Sequence, residues 1–355
     1  MHAYVNRIAT AVPANDIHHA FAAYAEGLLP DVRERRLFRR MAERSQIDQR
    51  WSCLKPAAPG ANLAIDSDGF YRPGAFPSTA ERMRRFETNA PDLAVETVQR
   101  LELGDQARSI THLIVTCCTG FAAPGLDLQI AARLDLNPSV ERTLVGFMGC
   151  YAAINALKLA RHIVRSEPQA QVLVVSLELC TLHLQETEDI EQALTFLVFG
   201  DGCAAALVTA EPQGLALDRF HAVLVPETGG LITWHIRELG FDMFLSGQVP
   251  GAIAHGLKLT QDDILAGMKP EAIDLWAVHP GGRSVLDSVE TALALGPKAL
   301  ATSRDILMRY GNMSSATIMF VLREMIAGSK PGSQGCAMAF GPGLTAETML
   351  FRSAG

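Results

Sequence analysis

The chain has 355 residues, 48% of them hydrophobic and 19% charged, with a formal net charge of −7. This balance excludes a disordered chain, gives no reason to expect nucleic acid as a partner, and leaves enough apolar mass for one large or two medium domains. Its seven cysteines form no C-x-x-C pair, so neither a zinc ribbon nor a disulfide framework is expected.

The opening "MHAYVNRIATAVPANDI" lacks the basic segment and apolar run of a secretory signal. Residues 28–50 form a strongly basic helical stretch, and residues 55–80, rich in Pro and Gly, form a long loop. Helical periodicity resumes over 80–103 through Met83, Phe86, Leu93, Val95 and Val98. Short apolar runs then alternate with helical patterns. "HLIVTCC", "RTLVGF", "AQVLVVSLEL" and "CAAALVTA" read as strands, with helices after the first two. The most apolar stretch, 194–210, carries Asp201 at its middle, so no membrane insertion is expected and a soluble, cytoplasmic protein is.

Continuous apolar strands interleaved with helices predict an α/β architecture with a sheet covered on both faces. The order then recurs. "LWAVHPGGRSVLDSVETALAL" is strand, glycine turn and helix; "RYGNMSSATIMFVLREMIAG" opens a helix on small polar residues; "GCAMAFGPG" and "TAETMLFRS" are strands. An internal duplication into two βαβ-rich halves, residues 1–215 and 216–355, is expected.

Three residues stand where chemistry is cheap to arrange: Cys150 and Asn312 at helix starts, and His279 at a strand end before Pro-Gly-Gly. A helix N-terminus carries partial positive charge and unpaired N–H groups. It can lower a thiol pKa from ~8.5 to roughly 3.5–7.5, and a neighbouring histidine would pair with the thiolate. Taken singly, each has a structural explanation: a small buried hydrophobe, a turn residue and a helix cap.

The segments "GFMGCYAA", "AVHPGGRSVLDSVE", "RYGNMSSATIMFVL" and "FGPGLTAETMLFRS", with "FGDGCAAALV" and "IATAVP", together resemble type III polyketide synthases, the chalcone and stilbene synthases and their bacterial relatives. The resemblance runs from about residue 5 to 353 and is weakest over 55–80. It implies a thiolase-like fold of duplicated βαβ halves in five layers, α-β-α-β-α. It also implies a homodimer with acyl-CoA and malonyl-CoA as substrates and no metal or redox cofactor. Cys150 would hold the acyl chain, while His279 and Asn312 would stabilise the enolate of decarboxylated malonyl-CoA. Ketoacyl synthases of the third class, which use an acyl carrier protein, resemble GN-T-S-A where this chain has "GNMSS", and they lack the "GPGLT-ET" ending. Hydroxymethylglutaryl-CoA synthases need an early catalytic glutamate, and nothing singles out Glu81, Glu87 or Glu96. The non-enzyme alternative, an inactive acyl-CoA-binding homologue, is opposed by the intact trio.

The resemblance further implies that Phe199 guards the junction of cavity and CoA tunnel. Arg40 and Arg44 would bind CoA phosphates; Leu37 stands where plant enzymes carry a lysine, so that contact is absent or is taken over by Arg36. Ser314, Gly341, Pro342 and Gly343 would shape the cavity. Four positions depart from the plant pattern: Met243 for a second gatekeeping phenylalanine, Cys180 and His183 for threonines, and Ala123 for a methionine that crosses the dimer interface. Small Ala123 and Cys180 suggest a fatty acyl-CoA starter and an alkylpyrone or alkylresorcinol product, whereas bulky His183 argues against extra room.

Overall fold

The computed structural model describes residues 2–58 and 64–354. Residues 59–63 of the long loop lie outside the described residues. The rest of that loop is irregular, pinned by Asp66, whose carboxylate accepts from the backbone of Asp68, Phe70 and Tyr71.

The basic stretch is shorter than expected. Its helix spans Val32–Ser45, begins on the Asp31 cap after Pro30, and ends where Gln46 turns left-handed at φ +58°. The following helix, Thr79–Gln99, opens on a reciprocal capping box between Ser78 and Glu81.

Nine strands form one mixed sheet in the order Leu275–Val278, Gln334–Gly341, Thr345–Ser353, Leu215–Leu224, Tyr4–Ala11, Asp201–Thr209, Val172–Leu179, His112–Cys117 and Glu141–Gly146. The order is a duplication folded outward from the middle. In the first half, His112–Cys117 lies parallel to Val172–Leu179, which runs antiparallel to Asp201–Thr209, itself antiparallel to Tyr4–Ala11. In the second, Leu275–Val278, Gln334–Gly341, Thr345–Ser353 and Leu215–Leu224 repeat that sequence of directions. Among the described residues, the second half has no counterpart of Glu141–Gly146. The halves join at the short antiparallel pairing of Tyr4 and Val5 with Ala216 and Leu215.

Alternation along the strands assigns the layers, because successive side chains point to opposite faces. Leu173, Val175 and Leu177 join one outer core with Phe86, Leu93 and Val98 of the Thr79–Gln99 helix. Val172 and Val174 point the other way, onto the helices Ala152–Ser166 and Thr317–Gly328. Ala337 and Ala339 meet the same two helices from the second half, while Cys336, Met338 and Phe340 face a third core under Val249–Ile264 and Arg283–Ala292. This is the expected α-β-α-β-α stack. Residues 317–322 are buried without interruption, as a helix enclosed between the two halves of the sheet must be.

Candidate active site

Both central helices start at the same end of the stack, and the candidate residues arrive there by three tight turns. After the strand Glu141–Gly146, Phe147 and Gly149 adopt φ +59° and +76°. A Cβ at Gly149 would lie 2.3 Å from the Pro342 ring, so only glycine lets the chain pass. The turn Gly149–Tyr151 then delivers Cys150, half-buried, to the head of the helix Ala152–Ser166.

His279 follows the strand Leu275–Val278. Its backbone N–H donates to Met338 O (2.8 Å), extending the ladder, and its ring is buried with neither nitrogen hydrogen-bonded among the described residues. Asn312 leaves the helix Ala301–Tyr310 through Gly311 at φ +67°. Its Nδ2 donates to Gly281 O (3.2 Å), beside the histidine, and its Oδ1 accepts from Ser314 N (2.8 Å). The cap-like bond and the inward-facing amide are thus the same side chain.

Cys150, His279 and Asn312 line one cavity of about 800 Å³, counted with its open mouth. The same cavity is lined by Phe199, Met243, Cys180, Ser314, Gly341 and Pro342, and the rest of its wall is mainly apolar, including Phe196, Trp234, Leu245 and Ile253. Gly343, Ala123 and His183 do not line it. Arg40 and Arg44 stand on the exposed face of the helix Val32–Ser45, in step with Arg36 at i, i+4 and i+8. The carbonyl of Arg44 accepts from Arg283 (3.2 Å), tying that helix end to the Gly281–Gly282 turn at the cavity.

His183 differs most from expectation. Its ring is fully buried behind the wall, where Nε2 meets Thr119 O (2.6 Å) and Nδ1 accepts from Phe241 N (3.0 Å). It stacks on Phe241 with centroids 4.1 Å apart. The bulk that argued against a roomy cavity is spent as a strut under the hairpin Ile232–Arg237/Gly240–Leu245, which supplies Trp234, Met243 and Leu245 to the wall.

The lowered thiol pKa expected at a helix start is also overturned. Burial pushes Cys150 up to about 11, with hydrogen bonding from Ser314 and then Asn312 pulling it back and the Glu178 charge pushing it further. Burial alone drives His279 down to about 3. The thiol and the unpartnered imidazole face the same cavity. Sequence reasoning passed over Glu178, a carboxyl in the apolar strand "VLVVSLEL". It accepts from Ser315 Oγ, Thr119 Oγ1 and Cys118 N, and burial raises it to about 7. The hairpin was missed as well, although "WHIRELGFDMF" carries a glycine between two alternating runs.

A family model of the N-terminal domain of chalcone and stilbene synthases matches residues 3–212, and one of their C-terminal domain matches residues 217–355. The α-pyrone synthesis polyketide synthase-like Pks18 of Mycobacterium tuberculosis is 35% identical, covering 98% of this chain and 91% of its own. The namesake from Mycobacterium bovis matches to the same extent. Among solved structures, the C-terminal type III polyketide synthase domain of Steely1, a type I/III hybrid from Dictyostelium, superposes with a TM-score of 0.90 at 26% identity over all of both chains. PKS-I from the brown alga Ectocarpus siliculosus gives 0.87 at 31% identity, over 99% of this chain and 98% of its own.

Proposed function

The chain belongs to the chalcone and stilbene synthase family, the type III polyketide synthases of thiolase-like fold, and on that premise we propose that Cys150, His279 and Asn312 carry out its condensing chemistry. The observation that carries this assignment is their convergence on one apolar cavity beside two free imidazole nitrogens. His279 takes the proton of the Cys150 thiol as its sulfur attacks a starter acyl-CoA and returns it to the departing CoA sulfur, giving the Cys150 thioester and free CoA. Malonyl-CoA then loses carbon dioxide, and the amide of Asn312 and the ring N–H of His279 donate to the enolate oxygen as charge develops there. The enolate carbon attacks the thioester carbonyl, Cys150 leaves, and the extended chain rests on CoA until it is reloaded. Decarboxylation supplies the carbanion, so the chemistry proposed uses no metal or redox cofactor.

Arg36, Arg40 and Arg44 form the phosphate-binding face for CoA; their exposure and the Arg44–Arg283 tie near the cavity support this. For the starter we favour a fatty acyl-CoA, closed to an alkylpyrone or alkylresorcinol. The apolar wall supports an aliphatic chain, as does a second cavity of about 330 Å³ that shares Cys180, Phe196 and Phe199 with the first. The α-pyrone synthesis named for Pks18 favours the pyrone. A homodimer is supported by the strand Glu141–Gly146, paired on one side only and carrying Leu144 at 44% exposure beside the Ala123 loop. Free thiols at all seven cysteines suit a reducing cytoplasm.

The test is incubation with labelled malonyl-CoA and starters from acetyl- to stearoyl-CoA, with Cys150→Ala in parallel and products read by mass spectrometry. Wild type forms polyketides and Cys150→Ala forms none while still decarboxylating malonyl-CoA. Better use of acetyl- than of octanoyl-CoA or longer starters refutes the fatty acyl assignment.

A further inference from the structure

Arg50 lies at the end of the basic stretch in sequence but is 98% buried in the fold, its residual exposure being 2%. A guanidinium so deep is costly unless its donors are used. Its Nη1 donates to two carbonyls, Phe196 O (3.0 Å) and Phe199 O (2.7 Å), and its Nε donates to His18 Nδ1 (2.9 Å), while Nη2 has no partner among the described residues. The guanidinium stacks over the Phe21 ring at 4.5 Å. Phe196 belongs to the last turn of the helix Ile190–Leu197, where carbonyls lack intrahelical partners and the dipole favours a cation. Arg50 is therefore the C-terminal cap of that helix, supplied from about 150 residues away in sequence.

The segment it caps is also the backbone mount of Asn312. Asn312 N donates to Val198 O (2.8 Å), and Gly200 N donates back to Asn312 O (2.9 Å), so residues 198–200 bracket the asparagine. The stem of Arg50 runs against both neighbouring glycines. A Cβ at Gly311 would meet Arg50 Cγ at 2.8 Å, and one at Gly200 would meet Arg50 Cβ at 3.5 Å. Gly311 in "YGNM" is thus where the chain passes closely over this side chain, while Gly200 in "FGDG" lies in ordinary contact with it and is hemmed first by Tyr310 O at 2.9 Å.

We propose that Arg50 is a positioning residue: by capping the helix end at Phe196 and Phe199 it fixes the backbone that sets both the Asn312 amide and the Phe199 ring in the cavity. It borders the smaller cavity but does not line the one that holds Cys150, His279 and Asn312. The proposal rests on the condensing function above and predicts a split between two half-reactions. Loading of Cys150 by a starter needs Cys150 and His279, whereas decarboxylation of malonyl-CoA needs the Asn312 donor.

The experiment uses the full chain with Arg50→Met and Arg50→Lys, and His18→Leu as a milder variant that frees one anchor and keeps the cation. Intact-protein mass spectrometry follows Cys150 acylation, carbon dioxide release follows decarboxylation, and crystal structures of the variants report the Asn312 position whatever the activity. Decarboxylation kcat is expected to fall about 10- to 100-fold in Arg50→Met, in line with the ~100-fold cost of an ångström of misplacement. Acylation should fall less than about threefold on the same footing, since its groups are not mounted on this segment. Arg50→Lys, whose single ammonium can serve one carbonyl, recovers part of the loss, and His18→Leu shows the same split more weakly. Parallel loss of both half-reactions overturns the proposal, as does an Asn312 amide that stays at Gly281 O in Arg50→Met. Absence of decarboxylation in wild type would instead reject the condensing function, leaving the crystal structures to decide the role of Arg50.

Discussion

Replacing His183 by leucine keeps the apolar volume and removes two polar contacts, so its cost can be worked from the geometry. The Thr119 carbonyl and the Phe241 N–H lose their partners at 2.6 and 3.0 Å in a site closed to water. Two orphaned buried groups at about 1–3 kcal/mol each, plus about 0.5–1.5 kcal/mol for the Phe241 stack, give roughly 3–7 kcal/mol. Urea unfolding at about pH 7.5, followed by tryptophan fluorescence, measures the difference. A second arm follows from titration. Burial lowers His183 to about 3, so its stabilisation is complete above the ordinary ~6.5 and is lost as pH falls toward 3. At pH 5 the wild type should therefore have surrendered about 2 kcal/mol that His183→Leu does not have to lose. A difference below about 1 kcal/mol at pH 7.5, or one that does not narrow in acid, would refute the strut and leave the hairpin held by other contacts.

Two further outcomes follow from the turns around the site. Asn312→Ala removes one donor to the enolate and should cut condensation about 100- to 1,000-fold in kcat, with starter loading onto Cys150 kept, as single-turnover acylation would record. Gly149→Ala puts a methyl where the Pro342 ring lies 2.3 Å away and asks a non-glycine residue for φ +76°. It should shift the adjacent Cys150 and lower activity at least about tenfold, together with a drop in melting temperature; an unchanged variant would mean that Pro342 yields freely.

The layered architecture was legible because strands such as His112–Cys117, Val172–Leu179 and Gln334–Gly341 are rich in apolar residues, and because Cys150, His279 and Asn312 each sit at a turn with its own glycine signature. The pKa of Cys150 was not, since the helix start is visible in sequence while the burial that outweighs it belongs to the assembled cavity. His183 was misjudged for a related reason: size can be read from a residue type, but whether a ring fills a cavity or braces the wall behind it depends on Phe241 and Thr119, about 60 residues away on either side. Arg50 looks like one more charge in a basic run, and only contacts across about 150 residues distinguish it from its exposed neighbours.

The duplication has a consequence for how this catalyst can fail. Cys150 belongs to the first half of the chain, His279 and Asn312 to the second, so the proposed carrier of the acyl group and the groups proposed to serve its carbanion partner are held by different halves of the sheet. In effect the molecule is a fused pair whose shared surface is the reaction chamber, and neither member holds a working set. A slight tilt of one half of the sheet against the other would change the gap between Cys150 and the two residues of the second half without altering any of the three side chains. Co-expressed fragments cut between residues 210 and 214 would turn this into an assay, because condensation would return only as the two halves find one another.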